Sequence, residues 1–432
     1  MPQMEAASAL NAASTVRGRI NVPGDKSITH RALLLNALAN GGAQIRGAGL
    51  GDDCRSSIAC LQGLGVRVRQ EGRQLTIESP GVGGFEEPAK PLDCGNSGTT
   101  MRLLLGVLAG CGRFAVVVGD ESLSARPMGR VAGPLRRMGA RIAGRDGGEL
   151  APLAVSPALL SGTEINVPVA SAQVKSALLI AGLNANGQTR IIQPAESRNH
   201  TEIMLAAMGA RVEVDGAKLT VEGGQQLTPV DVEVPGDFSS AAFWLVLGAS
   251  HPDASLEIAN VGINPTRAGT LSVLERMGAR IEIDPNPAGA EPSGGLAVAS
   301  SALSATQIGG AEIPIIIDEI PVLAVAATQA QGTTSIRDAG ELRVKETDRI
   351  AATVKNLRAM GARIEELPDG MVIEGPTPLQ GARLDSHGDH RVAMAMAVAA
   401  SIASGESRIG DSAAVNVSYP GFFEELGRVC AA

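Results

Sequence analysis

The polar residues of this chain gather at a few short turns, and their types are those that hold small anions and move protons. Lys26 and Arg31 stand in Gly24-Asp-Lys-Ser-Ile-Thr-His-Arg31, and Arg102 closes Gly95-Asn-Ser-Gly-Thr-Thr-Met-Arg102. Similar clusters are Ser124-Ala-Arg-Pro127, Ser171-Ala-Gln-Val-Lys175, Glu196-Ser-Arg-Asn-His-Thr-Glu202, Gly236-Asp-Phe-Ser-Ser240, Asp318-Glu-Ile-Pro321, Glu341-Leu-Arg-Val-Lys-Glu-Thr-Asp-Arg349 and Asp389-His-Arg391. Ser, Thr, Asn and Asp at such places cap helices with no ligand at all. Cations do not, because a positive charge opposes the positive end of the helix dipole. Lys26, Arg31, Arg102 and Arg391 therefore point to an anionic ligand at helix N-termini, whose unpaired N–H groups bind anions as well. Asp318 and Glu346 weaken anion binding where they stand, so a non-catalytic anion-binding repeat protein, the alternative from another class, has no use for them. The i, i+4 spacing of Lys345 and Arg349 predicts one shared helical face, the alternative being a solvated charged run.

Other chemistries fit poorly. No stretch matches G-x-x-x-x-G-K-[ST] or G-x-G-x-x-G, which leaves nucleotide binding unsupported. His387 and His390 with Asp389 have a weak metal-ligand spacing, and no metal is expected. The five cysteines (Cys54, Cys60, Cys94, Cys111, Cys430) are scattered without CxxC spacing, against disulfide scaffolds and structural zinc. The Arg residues of the recurring Met-Gly-Ala-Arg motifs (Arg141, Arg211, Arg280, Arg363) recur at a structural stop and are read as structural.

Two interleaved repeats position these turns. Leu-x-x-(Met/Leu)-Gly-(Ala/Val)-Arg-(Val/Ile) begins at Leu61, Leu135, Leu205, Leu274 and Leu357, at spacings of 69 to 83 residues. Each copy ends an amphipathic stretch, places Gly at a helix C-cap and runs into an alternating segment, predicting helix, stop and hairpin. A degenerate sixth copy at Phe423–Val429 has no hairpin after it, and Arg17–Val22 at the N-terminus is the candidate missing strand. Between these copies lie Ala-rich apolar helices starting near Asp25, Asn96, Ser171, Asp237, Asp318 and Asp389. Val22-Pro-Gly-Asp-Lys-Ser27 matches Val234-Pro-Gly-Asp-Phe-Ser239 at an offset of 212, half the chain. The expectation is an α/β chain of two domains with three units each. One domain is discontinuous, 1–22 plus 236–432, and the other is 23–235; a single repeat array without a cleft is the alternative.

Composition bounds the partners. With 44% apolar and 19% charged residues the chain has a globular composition, and with 2% aromatics a base-stacking nucleic-acid surface is not expected. The formal charge of −8 removes the usual attraction to nucleic acid or anionic membrane. The opening Met-Pro-Gln-Met-Glu lacks the basic and apolar regions of a signal peptide, and no apolar run is long enough to span a bilayer, so a cytoplasmic protein is expected.

Gly24-Asp-Lys-Ser27 with Arg31, Leu92-Asp-Cys-Gly-Asn-Ser-Gly-Thr-Thr-Met-Arg102, Ala125-Arg-Pro-Met128, Ser171-Ala-Gln173, Leu342–Arg349 and Asp389–Met394 occur in an order that resembles the 5-enolpyruvylshikimate-3-phosphate synthase family. The resemblance runs from about Arg17 to Phe423. It implies two domains, each of three βαβαββ units around buried helices, an inside-out barrel that closes on substrate. It also implies transfer of the enolpyruvyl group of phosphoenolpyruvate to the 5-hydroxyl of shikimate 3-phosphate, by addition and elimination through a tetrahedral intermediate. The route served is that to chorismate and the aromatic amino acids. No metal or organic cofactor is implied, and the expected state is a monomer acting on small molecules, without nucleic acid or membrane.

Carried over residue by residue, the resemblance implies Lys26, Ser27, Arg31, Ser171, Ala172, Gln173, Arg198, Asp318 and Lys345 on shikimate 3-phosphate. For phosphoenolpyruvate it implies Lys26, Asn96, Gly98, Arg126, Gln173, Arg349 and Arg391. Asp318 is the expected base for the hydroxyl, Glu346 the proton donor to C3, and Lys26 their electrostatic partner. Two departures, the absence of Lys from Val415–Pro420 and Leu103 in place of Pro, resemble the family's second, divergent class. Gly98, where glyphosate-insensitive forms carry Ala, implies sensitivity to that inhibitor. The related UDP-N-acetylglucosamine enolpyruvyl transferases carry a Cys before their Arg-Pro, and Gly119–Pro127 has none.

Overall fold

The computed structural model of the chain describes residues 8–431. Gly65, Gly139, Gly209, Gly278 and Gly361 of the Leu-x-x-Met-Gly repeats all have φ between 87° and 102°, a region that favours glycine. They follow the helices Asp52–Gly63, Gly129–Arg137, His200–Ala207, Gly269–Arg276 and Arg349–Ala359. An antiparallel hairpin follows each, from Arg67–Glu71 with Gln74–Pro80 to Arg363–Leu367 with Gly370–Gly375.

The second series forms the helices Lys26–Leu38, Gly98–Gly110, Ala172–Leu183, Phe238–Ser250, Ile320–Gln329 and His390–Ile402. They are buried on nearly all sides, and Phe238 through Ala249 are all buried, as an all-round apolar helix requires. Asp25, Ser97, Ser171, Asp237 and Asp389 cap five of them, each side chain accepting from a backbone N–H of the first turn. The Ile320–Gln329 helix instead begins with Pro321 in its first turn, where a missing N–H costs nothing.

Three repeats are contiguous βαβαββ units over 92–156, 164–222 and 307–375. In each, two parallel strands flank a buried helix and the second strand pairs antiparallel with the hairpin. The other three borrow strands. Val232–Glu233 supplies the first strand beside Asn40–Arg46. Thr15–Ile20 pairs in parallel with Ala254–Gly262 of the fourth unit, and only Cys430–Ala431 of the sixth unit joins its start. Ser8–Leu10 pairs antiparallel with Ser407–Gly410 of the sixth unit. Thr15–Ile20, which holds most of the expected strand, thus completes the fourth unit rather than the sixth, which takes Ser8–Leu10 instead; the register with Ala254–Ile258 turns Val16 and Ile20 into the core, both 0% exposed. All sheets are open among the described residues.

The chain divides into a central unit, Gly24–Val234 with Gly289–Glu291, and a terminal unit formed by the chain up to Pro23, Pro235–Ala288 and Pro292 onward. Each has its own apolar core. Phe85 is the one buried aromatic of the central core, while Phe243, Trp244, Tyr419, Phe422 and Phe423 contact one another in the terminal unit. Among the described residues no helix is long and apolar enough to cross a membrane.

Candidate active site

In the central unit, Lys26 opens its buried helix and directs Nζ to Asp53 Oδ2 at 2.9 Å, the two side chains 21% and 10% exposed. Arg31, one turn further on, is buried. Its Nε donates to Thr201 Oγ1 (2.7 Å), Nη1 to Ser27 O (2.9 Å) and Nη2 to Ser176 Oγ (2.8 Å). Burial lowers its pKa to about 10 against the opposing charges of Glu202 and Asp25. Arg31 therefore ties the Lys26 helix to the Ala172 helix and to the segment before Glu202. His30 beside it is neutral: burial above all, helped by Lys26 and Arg31 and opposed by Asp53, holds its pKa at about 3.

Ser171 accepts from Val174 N, and Gln173 one residue into the helix receives Arg102 Nη1 at 2.6 Å and donates to Thr99 Oγ1 at 2.9 Å. The Gly98 and Ala172 helices meet closely at Gly106, where a Cβ would stand 2.4 Å from Ala177 O. Glycine there lets Arg102 reach Gln173. Gly98 opens the first of these helices, and a Cβ on it would stand 3.0 Å from Arg102 Nη1 and 3.6 Å from Arg126 Nη1. Arg126 donates to Asn96 Oδ1 (2.5 Å) and Asn96 O (3.3 Å), while Asn96 Nδ2 donates to Asp120 Oδ2 (2.6 Å). Asn96, Gly98, Arg102, Arg126 and Gln173 thus form one contiguous set. Arg198 lies half-buried just before the helix His200–Ala207, its carbonyl held by Lys175.

In the terminal unit, Asp318 faces three cations: Arg349 Nη1 at 3.4 Å, Lys345 Nζ at 3.8 Å and Arg391 Nη2 at 3.8 Å. Arg349, 1% exposed, also donates Nε to Asp389 Oδ2 at 2.8 Å and Nη2 to Glu346 Oε2 at 2.6 Å. Burial disfavours its charge, but Asp389, Glu346 and Asp318 outweigh burial and hold its pKa above the usual value. Burial lowers the Lys345 pKa, with Asp318 the largest opposing charge. Arg391 Nη1 donates to Ser239 Oγ (2.9 Å) and Asp318 O (3.3 Å).

Lys345 and Arg349 do not share a helical face. Asp348 accepts from Ala351 N and starts the helix at Arg349, whereas Lys345 is extended at the end of the short 3-10 turn Gly340–Val344. Both still reach Asp318, because the chain between them is a loop. Sequence reasoning also passed over several groups. Lys175, Glu202, Ser239 and Glu319 stood inside the turns already singled out, but nothing in their spacing distinguished them from caps and core. Asp53 reads as an ordinary first-turn acid. Arg267, which donates to Glu319 Oε1 at 3.0 Å and to Ser239 Oγ, carries no local signal.

The sequence model of the EPSP synthase (3-phosphoshikimate 1-carboxyvinyltransferase) family matches residues 10–426. The chain belongs to this family. Among family members it is similar to the 3-phosphoshikimate 1-carboxyvinyltransferase of Shouchella clausii (strain KSM-K16), 52% identical over 416 residues that cover 96% of this chain and 97% of the relative. The Bacillus subtilis (strain 168) enzyme of the same name is 49% identical over 417 residues, covering 96% and 97%. The fold matches the solved EPSP synthase of Acinetobacter baumannii with a TM-score of 0.89 and 38% identity, over 99% of this chain and 98% of that one. Enolpyruvyl transferase NikO from Streptomyces tendae, at TM-score 0.78 and 19% identity over 98% and 97%, shares the fold.

Proposed function

We propose that the chain carries out the family's reaction, transferring the enolpyruvyl group of phosphoenolpyruvate to the 5-hydroxyl of shikimate 3-phosphate with release of phosphate, in aromatic amino acid biosynthesis. The observation that carries this reading is Asp318 faced by Lys345, Arg349 and Arg391 next to Glu346. An anion-binding site alone gains nothing from two carboxylates among its cations, whereas an addition and elimination needs both. In the addition, Asp318 takes the proton of the 5-hydroxyl as its oxygen bonds to C2 of phosphoenolpyruvate, and Glu346 delivers a proton to C3. In the elimination, C3 returns a proton, the C2–O bond to phosphate breaks, and phosphate leaves.

Shikimate 3-phosphate is assigned Lys26, Ser27, Arg31, Ser171, Ala172, Gln173, Arg198, Asp318 and Lys345. Phosphoenolpyruvate is assigned Lys26, Asn96, Gly98, Arg126, Gln173, Arg349 and Arg391. Forked guanidinium groups suit phosphate and carboxylate better than ammonium does. The central unit, which supplies most of the residues assigned to shikimate 3-phosphate, is read as its domain; the terminal unit is read as the phosphoenolpyruvate side through Arg349 and Arg391, although Lys26, Asn96, Gly98, Arg126 and Gln173 belong to the central unit. The protein works as a cytoplasmic monomer without metal or organic cofactor. The test is phosphate release from phosphoenolpyruvate with shikimate 3-phosphate or UDP-N-acetylglucosamine as acceptor. Release with the first alone is expected; release with the second alone overturns the reading.

A further inference from the structure

Lys175 is a buried cation for which the reaction has no direct use. Its side chain is 2% exposed, and its ammonium donates to Ser197 O at 2.9 Å, Arg198 O at 2.8 Å and Glu202 Oε1 at 2.6 Å, which exhausts its three donors. Its own backbone N–H donates to Ser171 O at 3.0 Å. A single residue therefore joins the Ser171–Gln173 turn to the backbone that carries Arg198. The next residue repeats the pattern: Ser176 Oγ pairs with Thr201 Oγ1 at 2.6 Å and donates to Ala172 O at 2.6 Å. Burial lowers the Lys175 pKa, with Glu202 opposing.

Packing alone does not account for this arrangement. A buried ammonium carries a large desolvation cost, and an apolar side chain of similar volume fills the same space without it. What the ammonium adds is direction. Two successive carbonyls, Ser197 O and Arg198 O, are fixed on one point, which fixes the peptide planes on either side of the Arg198 Cα and the direction in which its side chain leaves the chain. The geometry points to Lys175, with Glu202 as its counter-ion, as a positioning residue that sets Arg198 against Ser171–Gln173 to receive the phosphate of shikimate 3-phosphate. The inference rests on the substrate assignment made above and goes beyond it in giving the phosphate site a buried support that does not touch the ligand.

The experiment compares wild type with Lys175→Met/Glu202→Met and with Glu202→Gln. Lys175→Met alone strands a buried carboxylate and is prone to misfolding, whereas the double variant removes both charges together. The readouts are the thermal midpoint, the calorimetric Kd for shikimate 3-phosphate without the second substrate, and kcat with KM for each substrate. The double variant is expected to stay folded, with a midpoint lowered by the loss of the donor to Ser197 O and Arg198 O, while Kd and KM for shikimate 3-phosphate rise about 10- to 100-fold, the loss of about one charge-assisted hydrogen bond to the phosphate. Its KM for phosphoenolpyruvate and its kcat at saturation should stay within about threefold, since uniform binding alone is lost. Glu202→Gln keeps both carbonyl bonds and should bind shikimate 3-phosphate and turn over as wild type does, with a lower thermal midpoint because the buried ammonium loses its counter-ion. A double variant that binds shikimate 3-phosphate as wild type does, or that loses kcat and both KM values together, overturns the positioning role and leaves the substrate assignment standing. A folded wild type that binds no shikimate 3-phosphate overturns the substrate assignment and the positioning role with it.

Discussion

Replacing Asp318 by Asn separates chemistry from binding more sharply than any other single change, because Asp318 is assigned both as the base and as the negative charge among three cations. The side chain keeps its shape and loses one charge. Its carboxylate lies 3.4 Å from Arg349 and 3.8 Å from Lys345 and from Arg391. At those distances each pair is worth about 4 to 5 kcal/mol gross at an effective dielectric constant near 20. Desolvation of the charges offsets most of that. If about 1 kcal/mol survives, the freed cations bind the anionic phosphoenolpyruvate about fivefold more tightly. Loss of the base costs turnover about 100- to 10,000-fold, or roughly 3 to 5 kcal/mol of barrier. Shikimate 3-phosphate, whose hydroxyl then meets a neutral amide oxygen in place of a charged acceptor, should bind more weakly. Steady-state phosphate release gives kcat, and equilibrium binding of each substrate gives the two affinities. Turnover within a few-fold of wild type refutes the assignment of the base, and weaker phosphoenolpyruvate binding refutes the charge argument.

Glu346→Gln keeps a hydrogen-bonding oxygen near Arg349 but carries no proton for C3. Turnover should fall by about 100-fold or more, and solvent deuterium should no longer enter C3 of phosphoenolpyruvate; exchange at the wild-type rate contradicts the donor role. Gly98→Ala places a methyl 3.0 Å from Arg102 Nη1 and 3.6 Å from Arg126 Nη1, forcing shifts of a few tenths of an ångström. We expect inhibition of wild type by glyphosate at limiting phosphoenolpyruvate. In the variant we expect a KM for phosphoenolpyruvate raised about 10-fold, equal to about 1.4 kcal/mol, with a larger loss of inhibition. Equal inhibition of the two proteins argues against this.

His30 makes stability fall in acid. Its folded pKa is about 3 against 6.5 for the free group, so the unfolded chain binds the extra proton. The stabilisation is complete above pH 6.5 and is lost as pH falls towards 3, amounting to about 2 kcal/mol by pH 5. Urea titrations of His30→Gln should show that much less loss between pH 7 and pH 5, and an unchanged slope excludes His30 as the cause.

Much of the local architecture was legible because duplication wrote it five or six times. A Gly after Leu-x-x-Met reads as a left-handed stop at one site only weakly, but five such sites in step leave little choice, and all five take that conformation. Asp and Ser before apolar runs marked the caps of buried helices for the same local reason. The fifth start, near Asp318, differs, since Pro321 rather than a capping side chain opens that helix. Legibility failed where partners are far apart in sequence. The N-terminal strand carried no mark of whether it pairs near Ala254 or near Ser407, because any alternating apolar strand presents the same backbone groups to either edge. Lys345 and Arg349 looked like a helical pair because spacing is blind to the Asp348 cap that breaks the helix between them.

The sequence by itself determined the repeats, the fold class and the family, and it marked the turns at which the polar groups stand. These depend on local backbone preferences and on an ordered set of motifs, both of which lie along the chain. Only the tertiary structure decided which atoms meet. Arg31 is held by Thr201, Ser176 and the Ser27 carbonyl, Lys175 grips the Arg198 carbonyl, and Arg267 joins Ser239 and Glu319. The physical reason is that a buried charge is tolerable only where donors and acceptors from separate elements converge on it, and convergence is a property of packing that no local spacing records.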